Sequence, residues 1–297
     1  MVAPQPALIP TLRRRLALNL SLALIIGGLA VVVYFVPPGQ VAEQAKTLVP
    51  APAPDIHTIQ VERHGKLRLL FQREDNDWML RVPVVAPAHP RRIRDLLTLP
   101  SLPVHASLDI KADELPRFNL DPPLAVLRLD DYLFEFGGTD GLDEGRYVRH
   151  QQQVHLVPDN VYPQLTQGAG FFIDPRLLKE GLRPTRIAAP HRMLWRENNA
   201  WHSEPAPSAG EPAADAIATA WESAQALSVS LGADAPGGQR ITLTFAGEIT
   251  IEFDFVEQDG RPTLLRRDLN LSYNLDPEQV RSLMLPAGAD TAIPATE

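Results

Sequence analysis

The 297-residue chain has no cysteine. Disulfides, thiolate nucleophiles and cysteine-ligated zinc or iron–sulfur centres are therefore excluded, as is lipoprotein processing, which needs a thiol to acylate. A thiol-free chain suits an oxidising compartment such as a bacterial periplasm. Acidic residues are missing before Glu43, so all 36 of them lie from there onward. Catalytic signatures are missing too. No Gly-x-Ser-x-Gly elbow presents a serine, no His-x-x-x-His pair offers two helical metal ligands, and no Lys-Ser/Thr follows the glycine-rich loop as a phosphate cradle requires. The sequence accordingly nominates no catalytic residue, no cofactor-binding residue, no metal ligand and no cofactor.

What is present begins with Arg13-Arg14-Arg15, followed by Leu16 to Val36, a run of 21 residues without a charge. A helix of that length reaches roughly 31 Å, about the hydrocarbon thickness of a bilayer. The run ends in Val33-Tyr34-Phe35-Val36-Pro37-Pro38, with no small-x-small cleavage site, so 16–36 reads as an uncleaved transmembrane helix rather than a signal peptide. The arginines assign residues 1–15 to the cytoplasm as a short stub. Residues 37–54, with prolines at 37, 38, 50, 52 and 54, read as a semi-rigid Pro-rich linker, and 286–297 as a disordered tail. The expected location is the bacterial inner (plasma) membrane, N-terminus cytoplasmic, with the bulk of the chain periplasmic. Three of the 28 basic residues precede the run, which leaves the external part at a net −11. Such a surface is repelled by phosphate backbones and anionic headgroups, so nucleic-acid binding is not expected.

The remaining chain repeats itself. Arg73-Glu74-Asp75-Asn76-Asp77-Trp78 recurs 123 residues later as Arg196-Glu197-Asn198-Asn199-Ala200-Trp201. A proline trails each tryptophan (Pro83, Pro205), and a stretch of helical spacing follows, with Ile93, Leu96 and Leu97 on one face in the first copy and Ile217, Ala220 and Trp221 in the second. Leu127, Leu129, Leu133 and Phe134-Glu135-Phe136 then bracket a turn at Asp130-Asp131. Ile241, Leu243, Phe245, Ile249, Ile251, Phe253 and Phe255 alternate around Ala246-Gly247. Arg146-Tyr147-Val148-Arg149 corresponds to Thr263-Leu264-Leu265-Arg266, and a helical turn closes each copy, at Asp159 to Leu165 and Asp276 to Leu285. The pattern predicts two tandem, duplicated α+β domains with mainly antiparallel sheets, at 55–183 and 184–285. The copies differ at Asp113 to Pro123, where a helix capped by Asp113 and an extended double proline are expected in the first copy only.

Phe118-Asn119-Leu120-Asp121-Pro122-Pro123, a strand pair ending in Gly137-Gly138, Arg146-Tyr147-Val148-Arg149 and Val154-His155-Leu156-Val157, with the tryptophan-to-proline spacing, resemble the domain-of-unknown-function 4340 family. The likeness covers roughly Ile56 to Leu178 and, more weakly, the second half. Asn119 stands where that family usually has glycine. The resemblance implies a membrane-anchored bacterial envelope protein whose relatives often accompany auxiliary parts of ABC-type export systems resembling those of gliding motility. It implies no activity.

Four features are weighed as chemistry. The loop Gly137 to Gly145 lacks the oxygen ligand spacing of a calcium loop and reads as a hairpin connection. His150 and His155 flank a turn at Gln151-Gln152, where a shared metal lacks a third ligand. Asp130-Asp131 and Asp143-Glu144 are adjacent pairs that face opposite ways on a strand and suit turns. Trp78 and Trp201 suit core packing better than a ligand platform. The expectation is a non-enzymatic, single-pass scaffold or accessory subunit of an envelope or ABC-type transport assembly, with membrane or periplasmic protein partners. Alternatives are a periplasmic hydrolase of envelope glycans with dispersed carboxylates, and ligand capture between the two repeats.

Overall fold

The computed structural model describes residues 22–23, 25–26, 46–49, 55–141, 145–208 and 211–283. Within the Met1–Lys46 unit, Leu22, Ala23, Ile25 and Ile26 are helical and exposed. No helix among the described residues is long and apolar enough to cross a membrane. The stub at 1–15, the other residues of 16–36, most of the linker and the tail at 286–297 lie outside the described residues.

The Thr47–Glu297 unit carries two sheets. The first contains β1 (Thr58–Arg63), β2 (Lys66–Glu74), β3 (Asp77–Val82), β4 (Ala86–Pro87), β5 (Ala106–Leu108), β6 (Ala125–Leu129), β7 (Tyr132–Thr139), β8 (Gly145–His150) and β9 (Gln153–Pro158), in the order β4-β3-β2-β1-β6-β7-β8-β9-β5. The second contains β10 (Arg186–Ala189), β11 (Arg192–Glu197), β12 (Ala200–Glu204), β13 (Ser228–Leu231), β14 (Gln239–Thr244), β15 (Thr250–Gln258), β16 (Arg261–Arg266) and β17 (Leu271–Asn274), in the order β12-β11-β10-β14-β15-β16-β17-β13. All their pairings are antiparallel. Among the described residues of this unit the α-helices are short: α1 (Pro90–Leu97), α2 (Tyr162–Leu165), α3 (Ala214–Ser223) and α4 (Pro277–Ser282).

With β4 set aside, the two strand orders coincide strand for strand, β1 matching β10, β5 matching β13 and β9 matching β17. Helices α1 and α3 precede the edge strands β5 and β13, while α2 and α4 follow the last hairpins. The repeated sextet forms the same hairpin twice. Arg73 pairs with Trp78 and Arg196 with Trp201, around turns in which Asp75 (φ 52°) and Asn198 (φ 49°) take left-handed backbone. Asp and Asn tolerate that conformation better than most residues, which is why the Asp/Asn exchange leaves the turn intact. The peptides before Pro83 and Pro205 are both cis.

The hydrophobic periods decide which faces are buried. In α1, Ile93 and Leu96 point inward, with Pro90 in the first turn, where its missing N–H costs no helical bond. In α3, Ala214, Ile217, Ala218 and Trp221 are buried. One cluster of buried apolar side chains extends from Ile59 and Phe71 through Phe172 and Leu177 to Trp221 and Phe253. Burying each such side chain contributes on the order of 1.5–3 kcal/mol.

Four local expectations change. Asp113 is not the cap of its helix: Ala112–Phe118 is a 3-10 helix that starts after Lys111, whose backbone N–H donates to the Glu114 carboxylate at 3.3 Å. The double proline does not extend the chain. A cis Asp121–Pro122 bond and a bridge between Leu120 and Pro123 reverse it. Ile249 leaves the alternation and is 64% exposed, because Ala246–Glu248 forms a 3-10 turn with Gly247 at φ 78°. Within the linker, Thr47–Val49 is docked rather than free: Leu48 N–H donates to Leu102 O (3.0 Å), Val49 N–H to Pro100 O (2.9 Å), and both side chains are buried.

The segment between β9 and β10 is bonded to both halves. His89 N–H donates to Phe172 O and Asp174 N–H to Pro87 O on one side; Leu177 N–H donates to Ala224 O and Ala226 N–H to Pro175 O on the other. Asp174 is buried and takes the Arg176 guanidinium at 2.7 Å.

Candidate functional site in the motif cluster

The motifs singled out along the first half come together in space. The 3-10 helix Ala112–Phe118 ends at Asn119, held at φ 55°, ψ 36°, and Leu120 N–H returns to Leu115 O at 3.1 Å. Glycine takes that left-handed backbone at no steric cost and asparagine at little, which accounts for Asn119 at this point of the turn. The turn lies on β7. A Cβ at Gly137 would sit 2.3 Å from Phe118 O, and one at Gly138 would sit 3.0 Å from the Asn119 amide nitrogen. The two glycines are thus read by Phe118-Asn119-Leu120, and the paired motifs are one contact.

Arg146 on β8 locks the arrangement from behind. Its guanidinium donates to both Asp159 carboxylate oxygens (2.7 and 2.8 Å) and to Gly137 O (2.5 Å), and lies 3.6 Å over the Tyr162 ring. The side chain is only 8% exposed, a depth at which a charge needs such a paired carboxylate. Tyr147 meets Phe118 edge to face at 4.9 Å. In front of this wall lies an open concavity of about 360 Å³, lined by Arg117, Asn119, Thr139, Tyr147 and Tyr162 among others. Its aromatic walls and polar rim can receive a small polar molecule; Arg146 is already committed to its own fold.

The other weighed residues are placed as follows. His150 Nδ1 bonds Leu133 O at 2.9 Å and its ring stacks on Phe134 at 4.7 Å, whereas His155 Nδ1 bonds Ser107 Oγ at 3.0 Å. The two histidines serve different neighbours. Among the described residues no group of three or more His, Cys, Asp or Glu is placed to hold a metal ion. Asp130 pins the start of β1, accepting from His57 N–H (3.0 Å) and Thr58 N–H (2.7 Å). Residues 142–144, with the Asp143-Glu144 pair, lie outside the described residues; around them Asp140 N–H donates to Gly145 O at 2.8 Å. Trp78 and Trp201 are partly buried against the core, and Trp78 also lines a 250 Å³ concavity with Asp55, Arg73 and Asn76.

Sequence reasoning missed the charged centre of the second sheet. Asp254, its side chain 7% exposed, takes Arg240 at 3.0 Å and Arg267 at 2.5 Å, and Arg267 also holds the carbonyls of Ala233, Ala235 and Gly237. Hydrogen bonding from Arg240, reinforced by Arg267, lowers the Asp254 carboxyl below the usual range against the opposing effect of burial. The arginine therefore ties down the loop that replaces the Asp113 to Pro123 excursion of the first half. Arg240 and Asp254 are opposite each other in the β14–β15 ladder and Arg267 reaches them from the turn after β16, a meeting that no local spacing encodes. Compared with protein-family models, curated proteins and solved structures, the chain matches none.

Proposed function

We propose that this protein is a single-span inner-membrane scaffold or accessory subunit. In this reading residues 16–36 anchor it and the two sheets stand on the periplasmic side, where they contact an envelope or ABC-type transport assembly. The observation that carries the reading is the docking of Thr47–Val49 on the first sheet's side of the fold. Ten residues separate the uncharged run from that docked segment, and they span at most about 35 Å. A tether that short keeps the folded part at the membrane face. The connector supports the same reading, since its backbone bonds to both halves make the pair of sheets one binding body. Envelope location also follows the family resemblance, whose motif residues pack as a structural cluster. Duplication of an ancestral α+β domain accounts for the coincident strand orders.

The test is cross-linking in intact cells at native expression, followed by purification and mass spectrometry. Recovery of a defined membrane or periplasmic assembly is expected. Recovery of no membrane partner above background, or a reporter fused after Pro54 that is active only in the cytoplasm, would overturn the reading.

A further inference from the structure

We infer that the outward face of α1 binds anionic lipid headgroups and sets how the folded part meets the membrane, an inference that rests on the anchor reading above. The segment His89-Pro90-Arg91-Arg92-Ile93-Arg94 puts three arginines into one short helix with no acid in its first turn. Arg91 and Arg92 stand in the first turn, where cations oppose the macrodipole, so their placement is locally unfavourable without an external anion; Arg94 is in the last turn. Ile93 and Leu96 turn inward, which leaves Arg91 and Arg94, one turn apart, exposed on the opposite side. Arg92 lies 4.0 Å over the Phe171 ring.

Among the described residues none of the three arginines makes an ion pair, although Arg73, Arg146, Arg149, Arg176 and Arg240 each have a carboxylate. Asp95 is the one acid on the helix, so α1 keeps a net positive charge. This reverses locally what the overall charge predicts, for a chain at −8 is otherwise repelled by a phosphate surface.

Position favours a lipid occupant. Val49 and Leu48 bond Pro100 and Leu102, in and just after the Leu99–Ser101 turn that directly follows α1. The docked segment thus runs from Pro103, which Thr47 bridges, back toward the Leu99–Ser101 turn at the C-terminal end of this helix. A short tether raises the effective concentration of headgroups around the docked segment, and α1 adjoins that segment through the Leu99–Ser101 turn. The contact is electrostatic and falls away within a Debye length, about 8 Å at physiological ionic strength.

The chain's lack of cysteine supplies the test. Thr98→Cys, at the exposed C-terminal end of α1, gives a single thiol for a fluorophore. The labelled full chain is reconstituted in vesicles of phosphatidylcholine alone or with one third phosphatidylglycerol, each doped with a headgroup quencher. Quenching is expected only with phosphatidylglycerol, with the headgroup-bound population falling roughly fivefold for each of Arg91→Gln and Arg94→Gln. The matched charge loss Lys66→Gln/Arg68→Gln, exposed elsewhere on the first sheet, is expected to leave it unchanged. Quenching blind to lipid composition, or unaltered in the Arg91/Arg94 pair with its circular dichroism intact, overturns the inference while the anchor stands. A chain washed from both vesicles by alkaline carbonate overturns the anchor reading, and the inference with it.

Discussion

A methyl group on Gly137 would lie 2.3 Å from Phe118 O and 2.8 Å from the Leu120 side chain, where the 3-10 turn rests on β7. Neither neighbour can withdraw easily, since one is backbone and Leu120 is buried. Gly137→Ala is expected to cost about 1–3 kcal/mol in urea denaturation, as overpacked sites do. Gly141→Ala, with nothing within 4 Å of the added carbon, is expected to stay within about 0.5 kcal/mol of the parent. Equal midpoints for the two variants would contradict the packing described. At Asp254 the effect is one of protonation. Its folded-state pKa is depressed by Arg240 and Arg267, so its contribution is full above the unfolded value, about 3.9, and is lost as pH falls through the lower folded value. Asp254→Asn is expected to be less stable at neutral pH and to show a shallower acid limb below about pH 4, read by denaturation at a series of pH values. A parallel limb in the variant would remove Asp254 as a contributor.

At the scale of elements, the sequence announces some of these structures and hides others. The hairpins β6–β7 and β14–β15 are legible because Leu127, Leu129, Phe134 and Phe136, or Ile241, Leu243, Phe253 and Phe255, keep period two on either side of a turn. Strands β4, β5 and β13 have two, three and four residues, too few to display a period. β5 and β13 take their positions from partners far along the chain, and β4 takes its place from β3 just before it. The connector is equally silent, because its order derives from backbone bonds to Pro87, Ala224 and Ala226 that no local spacing encodes. The candidate site was legible as separate motifs around 118–123, 137–138 and 146–149, while their convergence depends on the loop folding back over β7. Arg91, Arg92 and Arg94 could be read as a basic run, but their lack of carboxylate partners is a property of the fold.

For the molecule as a whole, the decisive fact is that the buried core is continuous from one sheet to the other through Phe172, Ile173, Leu177 and Leu178. Calorimetry of the full chain is therefore expected to show one unfolding transition for the two sheets, with calorimetric and van't Hoff enthalpies equal. Gly170→Ala places a Cβ 2.0 Å from Val229 O, where the connector crosses β13. It is expected to split that transition in two, each sheet then melting separately. A single transition in the variant would show that the crossing at β13 is dispensable for the coupling.

The far-edge placement of β5 also governs the order in which the protein takes shape as it is made. Ser107 on β5 bonds His155, 48 residues later, and Ser228 on β13 bonds Asn274, 46 residues later. Each edge strand leaves the ribosome early and waits for the last hairpin of its own half. The strands of the first sheet end at Pro158, so its pairings can be completed while β10 to β17 are still unsynthesised. Domains form N-terminal first during translation, so the connector settles on Pro87 before Ala224 and Ala226 exist to receive its other side. The older half is then a template, and the younger half is laid down against it.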